Sequence, residues 1–185
     1  MEPPLTALPT QILRLTDLGT RKPTPFAVSP DAAQRDVIAQ ALNIPKVRKL
    51  QFDGQFSPIG QTDWQLTATL GATVVQDCVV TLDPVTSRID EKISRHYVAD
   101  YVVPEAAETE MDDDDTVDPL PQTVDVVAVM MEALSLAIPA FPRSADATLG
   151  DANYTQPGAA PMTDEDAKPF AGLGALRDQL QKKGE

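Results

Sequence analysis

Trp64-Gln65-Leu66-Thr67-Ala68-Thr69-Leu70-Gly71-Ala72-Thr73-Val74 places an apolar or small residue at every even position and mainly hydroxyl or amide residues between them. A period of two over a run this long predicts a β-strand with one buried and one solvated face. Cys78, Val80 and Leu82 keep the same parity, so the strand is expected to run on until Asp83-Pro84 breaks it. Beyond that break, Val85, Ile89, Ile93 and Tyr97 oppose Thr86, Arg88, Asp90, Lys92 and His96. Upstream, Val47, Lys49, Gln51 and Asp53 alternate imperfectly with Arg48, Leu50, Phe52 and Gly54, ahead of a Pro58-Ile59-Gly60 turn signal. Three such strands in succession predict a half-buried antiparallel meander whose apolar face needs a cover.

Two segments supply that cover. Ser29-Pro30 places a capping hydroxyl before a proline at the first helical position. Ala33, Val37, Ile38, Ala41 and Leu42 then recur at helical spacing until Asn43 and Pro45. The second segment runs from Thr123 to Ile138, with Thr123 as its cap and Asp125 in its first turn. Its seam is Val124, Val127, Met131, Leu134 and Ile138, and its narrow polar stripe predicts burial on most sides before Pro139 and Pro142 stop it. Near the N-terminus, Gln11 to Leu15 and Thr24 to Val28 are short apolar runs suited to sheet edges, the only place where Pro25 fits. The expected fold class is therefore α+β: an antiparallel sheet covered by two main helices. Residues 1–143 form one domain containing an acidic flexible linker over about 104–120. Residues 144–185 form a loose tail in which Phe170, Leu173, Leu176 and Leu180 line a short helix.

The chain has 185 residues, 15 Lys and Arg, 28 Asp and Glu, and a formal net charge of −13. That balance excludes a generally cationic nucleic-acid binder. The acids are concentrated, however: no Lys or Arg falls between His96 and Pro142, where eleven acids lie, leaving the remainder close to neutral. Arg14, Arg21, Lys22, Arg35, Lys46, Arg48 and Lys49 face only Asp17, Asp31 and Asp36 in the stretch from Arg14 to Lys49, which is net positive. No apolar run approaches the roughly 18–20 residues that span a bilayer, and Met1-Glu2-Pro3-Pro4 does not resemble a secretory start. A cytoplasmic compartment is expected.

Chemistry has few footholds. Cys78 is the only thiol and His96 the only imidazole, so a nucleophile and its base would have to be these two. No Gly-rich elbow, triad acid or phosphate loop accompanies them, and a cysteine on an apolar face behaves as a small hydrophobe. No catalytic role, cofactor or metal is expected. Asp112, Asp113, Asp114 and Asp115 lack the alternating ligands and glycine turn of a calcium loop. They suit a solvated linker or a segment that attracts a basic protein. Lys46, Arg48 and Lys49, with Arg14, Arg21 and Lys22, are the candidate contacts to RNA phosphates or another partner.

Three ordered segments resemble the YceD family, the large ribosomal RNA subunit accumulation proteins. They are Val75 to Val85 (VQDCVVTLDPV), the acidic stretch and helix ending in Leu134 to Arg143 (LSLAIPAFPR), and Lys168 to Leu176 (KPFAGLGAL). Gln76, Cys78, Pro84, Pro139, Pro142, Pro169 and Phe170 carry the resemblance as structural motif positions. The family pattern commonly has a C-x-x-C pair and further C-terminal cysteines, whereas here Thr81 follows Cys78 and no second cysteine exists. The resemblance implies a non-enzymatic factor in ribosome biogenesis that supports large-subunit ribosomal RNA. Its implied partners are ribosomal RNA precursor, a basic large-subunit ribosomal protein, or both, with no membrane and no small-molecule substrate. The alternative is an acidic, chaperone-like module that binds a cationic protein without touching RNA.

Overall fold

A computed structural model describes residues 7–101 and 116–148. Three long strands set the frame: β3 (Lys46–Ile59), β4 (Asp63–Asp77) and β5 (Pro84–Val98), joined antiparallel. The alternation in β4 is realised in full, since Trp64, Leu66, Ala68, Leu70, Ala72 and Val74 are all buried. Their cross-strand neighbours Leu50, Phe52 and Phe56 on β3, and Ile89 and Tyr97 on β5, continue the apolar face. Gly60, at φ 61°, makes the β3–β4 turn, a backbone state that glycine adopts without strain.

The imperfect alternation at the start of β3 has a physical cause. The ladder pairs Val47 with Val74 and Lys49 with Thr73, so Arg48 is an extra residue in a bulge. One inserted residue restores parity, letting Val47 and Leu50 both reach the core while Lys46 and Lys49 stay exposed. Phe26 packs tilted against Phe52 and Phe56, with ring centroids 5.5 and 5.6 Å apart. The Phe26 ring lies over Gly54, where a Cβ would lie 2.5 Å from the Thr67 carbonyl oxygen and 2.7 Å from Phe26 Cζ. Only glycine leaves room there.

β2 (Thr24–Val28) adds an antiparallel edge to β3, as Pro25 requires. β6 (Val117–Pro119) adds a short parallel edge at the end of β5, so the sheet order is β2-β3-β4-β5-β6 and not wholly antiparallel. β1 (Ile12–Arg14) pairs separately with β7 (Thr123–Asp125). The two α-helices among the described residues are α1 (Ala32–Ala41), against β3, and α2 (Val126–Ala137), against β4, β5 and β1. Ile38 of α1 and Val126, Val127, Met130 and Leu134 of α2 join the strand residues in one core.

Several boundaries differ from expectation. Asp31, not Ser29, caps α1 through a reciprocal box: its carboxylate accepts from Gln34 N–H, and Gln34 Oε1 accepts from Asp31 N–H. Asp125, not Thr123, caps α2 by accepting from Val127 N–H at 3.0 Å, because Thr123 is committed to pairing with Arg14. The alternation beyond Asp77 does not continue as strand. Residues 78–83 form the hairpin loop instead, and Leu82 sits at φ 62° with 76% of its surface exposed. α2 also exposes Leu136, so its outer face is less covered than its narrow polar stripe suggested. Of the linker expected over 104–120, residues 104–115 lie outside the described residues, while Val117–Pro119 are strand. Asp112 to Asp115, Pro169, Phe170 and the C-terminal helix likewise lie outside them.

Candidate functional site

The strand ladder gives each candidate cation a definite position. Lys46, Arg48 and Lys49 are exposed at the N-terminal end of β3, and none forms an ion pair among the described residues. Lys49 pairs with Thr73, and Thr73 pairs with Arg88, so these three residues share one row of the solvated face. At strand spacing, the Lys49 and Arg88 backbones are about 10 Å apart. Arg88 is a cation that sequence reading did not select, because only the register of β4 on β5 reveals it as Lys49's neighbour. Its guanidinium lies across Gly71, where a Cβ would come 3.0 Å from Nη2. It grips Asp90 through both Nε, at 2.7 Å, and Nη2. That pairing raises the Arg88 pKa and lowers the Asp90 pKa.

The remaining candidates lie elsewhere. Arg21 and Lys22 are exposed in the turn before β2, whose first residue, Thr24, pairs with Phe56. Phe56 is seven residues along β3 from Lys49, about 23 Å at strand rise. Arg14 is exposed on β1, in the separate two-stranded sheet. Arg35 is directed inward enough for Nη1 to donate to Pro30 O at 2.7 Å. The fold thus keeps the three β3 cations together and sends the others to different places.

Four of the residues that carried the family resemblance converge on the β4–β5 hairpin loop and the chain that leaves α2. Gln76 Nε2 donates to Pro139 O at 3.0 Å, and Val79 N–H donates to Pro142 O at 2.9 Å. Cys78 is fully buried, and its sulfur accepts from the N–H groups of Val80 at 3.5 Å, Thr81 at 3.4 Å and Ser144 at 3.4 Å. The Thr81 hydroxyl also bonds to it, and with these donors lowers the thiol pKa to about 7 against the opposing effect of burial. Cys78 N–H donates to Asp83 O, and Leu82 N–H donates back to Cys78 O, closing the loop. Pro84, the fifth such residue, starts β5 opposite Asp77. Of the Sγ donors, Ser144 comes from 66 residues further along the chain, and only the fold brings it to Cys78. The latch ties the hairpin to the exit of α2, a contact spanning more than sixty residues of chain.

Cys78 and His96 stand at opposite ends of β5, which is about 40 Å for the strand between them. They form no nucleophile and base pair. Among the described residues, no cluster of three His, Cys, Asp or Glu side chains is arranged to hold a metal.

On the other side of β5, Arg95 reaches Glu132 of α2 at 2.5 Å and Asp118 of β6 at 3.6 Å. These ion pairs stand beside a groove of about 670 Å³ between α2 and the edge of β5.

A family model described as Large ribosomal RNA subunit accumulation protein YceD matches residues 66–177, more than half of the chain. The matched range contains the whole latch and starts after the β3 cations. No curated protein and no solved structure matches the chain.

Proposed function

Because the chain belongs to the YceD family of large ribosomal RNA subunit accumulation proteins, we propose that it is a non-enzymatic cytoplasmic factor supporting large-subunit ribosomal RNA by docking on its precursor. The carrying observation is the exposed group Lys46, Arg48 and Lys49, free of ion pairs among the described residues, with Arg88 completing a row on the same sheet face. Phosphate oxygens are the natural ligand of such a group, and a few contacts give weak, salt-sensitive binding. The solvated face carries Thr67, Thr69 and Thr73 rather than aromatic rings, so it favours backbone contact over base stacking.

The acidic stretch that contains Asp112 to Asp115 supplies a second contact, to a basic ribosomal protein. Two weak contacts joined in one chain bind more tightly than either. No helix among the described residues is long and apolar enough to cross a membrane. The latch acts as scaffold here, holding the hairpin against α2.

Co-sedimentation with large-subunit precursors tests the proposal. Replacing Lys46, Arg48 and Lys49 with Ala should move the protein out of the precursor fractions, and an unchanged profile would remove the basic group from the mechanism. The concentration of eleven acids between His96 and Pro142 favours a second reading, an acidic module for a cationic protein alone. Crosslinking in cells separates the two: the first yields RNA and protein adducts, the second protein adducts only.

A further inference from the structure

We infer that the outer edge of β5 is a self-complementary surface through which two copies of this chain pair into a continuous sheet. β6 covers only His96, Tyr97 and Val98, which leaves the edge from Pro84 to Arg95 without a neighbouring strand among the described residues. His96 N–H donates to Thr116 O, and Val98 O accepts from Leu120 N–H, so even-numbered residues of β5 direct their backbone groups outward. By the alternation of a strand, Thr86, Arg88, Asp90, Lys92 and Ser94 offer the same groups along the open edge. Long open edges are a template for another strand.

The side chains select the occupant and its register. Consider a second β5 laid antiparallel against the first, with the two-fold axis through Ile89. Arg88 then faces Asp90 of the second copy, twice by symmetry, and Thr86 faces Lys92. On the helix side Ile89 meets Ile89, Val85 meets Ile93, and Ser87 meets Glu91. Every charged pair is of opposite sign, and the apolar residues oppose one another. Neighbouring registers are worse. An axis through Asp90 sets Asp90 against Asp90 and Arg88 against Lys92; an axis through Glu91 pairs Asp90 with Lys92 but sets Glu91 against itself; an axis through Arg88 sets Arg88 against itself. Like charges directly opposite destabilise a pair. Of these four phases, only the one centred on Ile89 opposes no like charges.

Two other features agree. The groove beside the edge is walled by α2, where Leu136 is 81% exposed, and a second copy brings its own α2 to the same side. The opposite edge of the sheet, β2, is short and contains Pro25, so growth stops at two copies rather than forming a fibre.

The test uses the full chain and two charge reversals, Arg88→Asp and Asp90→Arg, each on an exposed residue. Sedimentation equilibrium of the wild type should show a reversible dimer. Each variant alone places like charges opposite each other twice and should weaken the dimer about tenfold or more. Mixed in equal amounts, with one chain isotopically heavy, the two variants should recover a dimer of one heavy and one light chain by native mass spectrometry. Both variants lose the Arg88–Asp90 pair within their own chain, so recovery on mixing can come only from pairing between chains. A wild type that stays monomeric at high concentration would overturn the inference. So would single variants that dimerise like the wild type, or a mixture that forms no heterodimer.

Discussion

Cys78 combines full burial with a depressed pKa, because N–H donors from Val80, Thr81 and Ser144 and the Thr81 hydroxyl converge on one sulfur. The native state favours the thiolate relative to the unfolded chain, where the thiol keeps its ordinary, higher pKa. The resulting stabilisation is fully present above the unfolded value and is lost as pH falls through about 7. Thermal melts should therefore show wild-type stability rising from about pH 7 towards the ordinary thiol range, a rise that Cys78→Ala lacks. Thr81→Val removes the largest lowering cause, so the thiolate absorbance should titrate at a higher pH than in the wild type. Gly54 makes the opposite kind of demand, for empty space. Gly54→Val would force a side chain into Thr67, Ala68 and Phe26, and denaturant melts should register a loss of at least about 2 kcal/mol. Val80 and Thr81 are sequence neighbours of Cys78, but Ser144, which completes the donor set, and Phe26, which limits the space at Gly54, arrive from distant parts of the chain.

At the scale of elements, the bulge at Arg48 separates two kinds of deletion. Removing Arg48 leaves Val47 opposite Val74 and Lys49 opposite Thr73, a regular ladder with every core residue still facing inward. Removing Gln51 instead turns the preceding part of β3 over by one position, sending Leu50 towards solvent. The Arg48 deletion should melt close to the wild type, and the Gln51 deletion should lose cooperative folding, as followed by circular dichroism. The strands themselves were legible from sequence: β4 declares itself by strict alternation, and Pro25 correctly marks β2 as an edge. Helix starts were less legible, because Ser29 and Asp31 are both competent caps. Asp31 has Gln34 three residues on to complete the box, a signal present in the sequence that the Ser29-Pro30 pair obscured. Thr123 was drawn away from capping by β1, a partner more than one hundred residues upstream.

For the molecule as a whole, the β3 cations are separable from stability, since none takes part in the core or in an ion pair among the described residues. The Lys46, Arg48 and Lys49 to Ala variant should keep the wild-type melting temperature. Under the proposed docking on RNA, its binding should depend less steeply on salt, the logarithmic slope falling by about two, given roughly 0.7 per phosphate contact on single strands. Core truncation behaves differently: Phe52 is fully buried and packs against Phe26, and Phe52→Ala would cost about 3–5 kcal/mol. By itself, the sequence determined the α+β class, the apolar face of the meander, its cover of two helices and the segregation of charge. These properties follow from local periodicity and composition, which act over a few residues. Only the tertiary structure decided that Gln76 and Cys78 meet the chain after α2, that Lys49 and Arg88 share a row, and that β5 has no neighbouring strand over Pro84 to Arg95 among the described residues. Each of those depends on which strand or segment lies beside which and in what register, and a register is fixed by packing between distant parts of the chain.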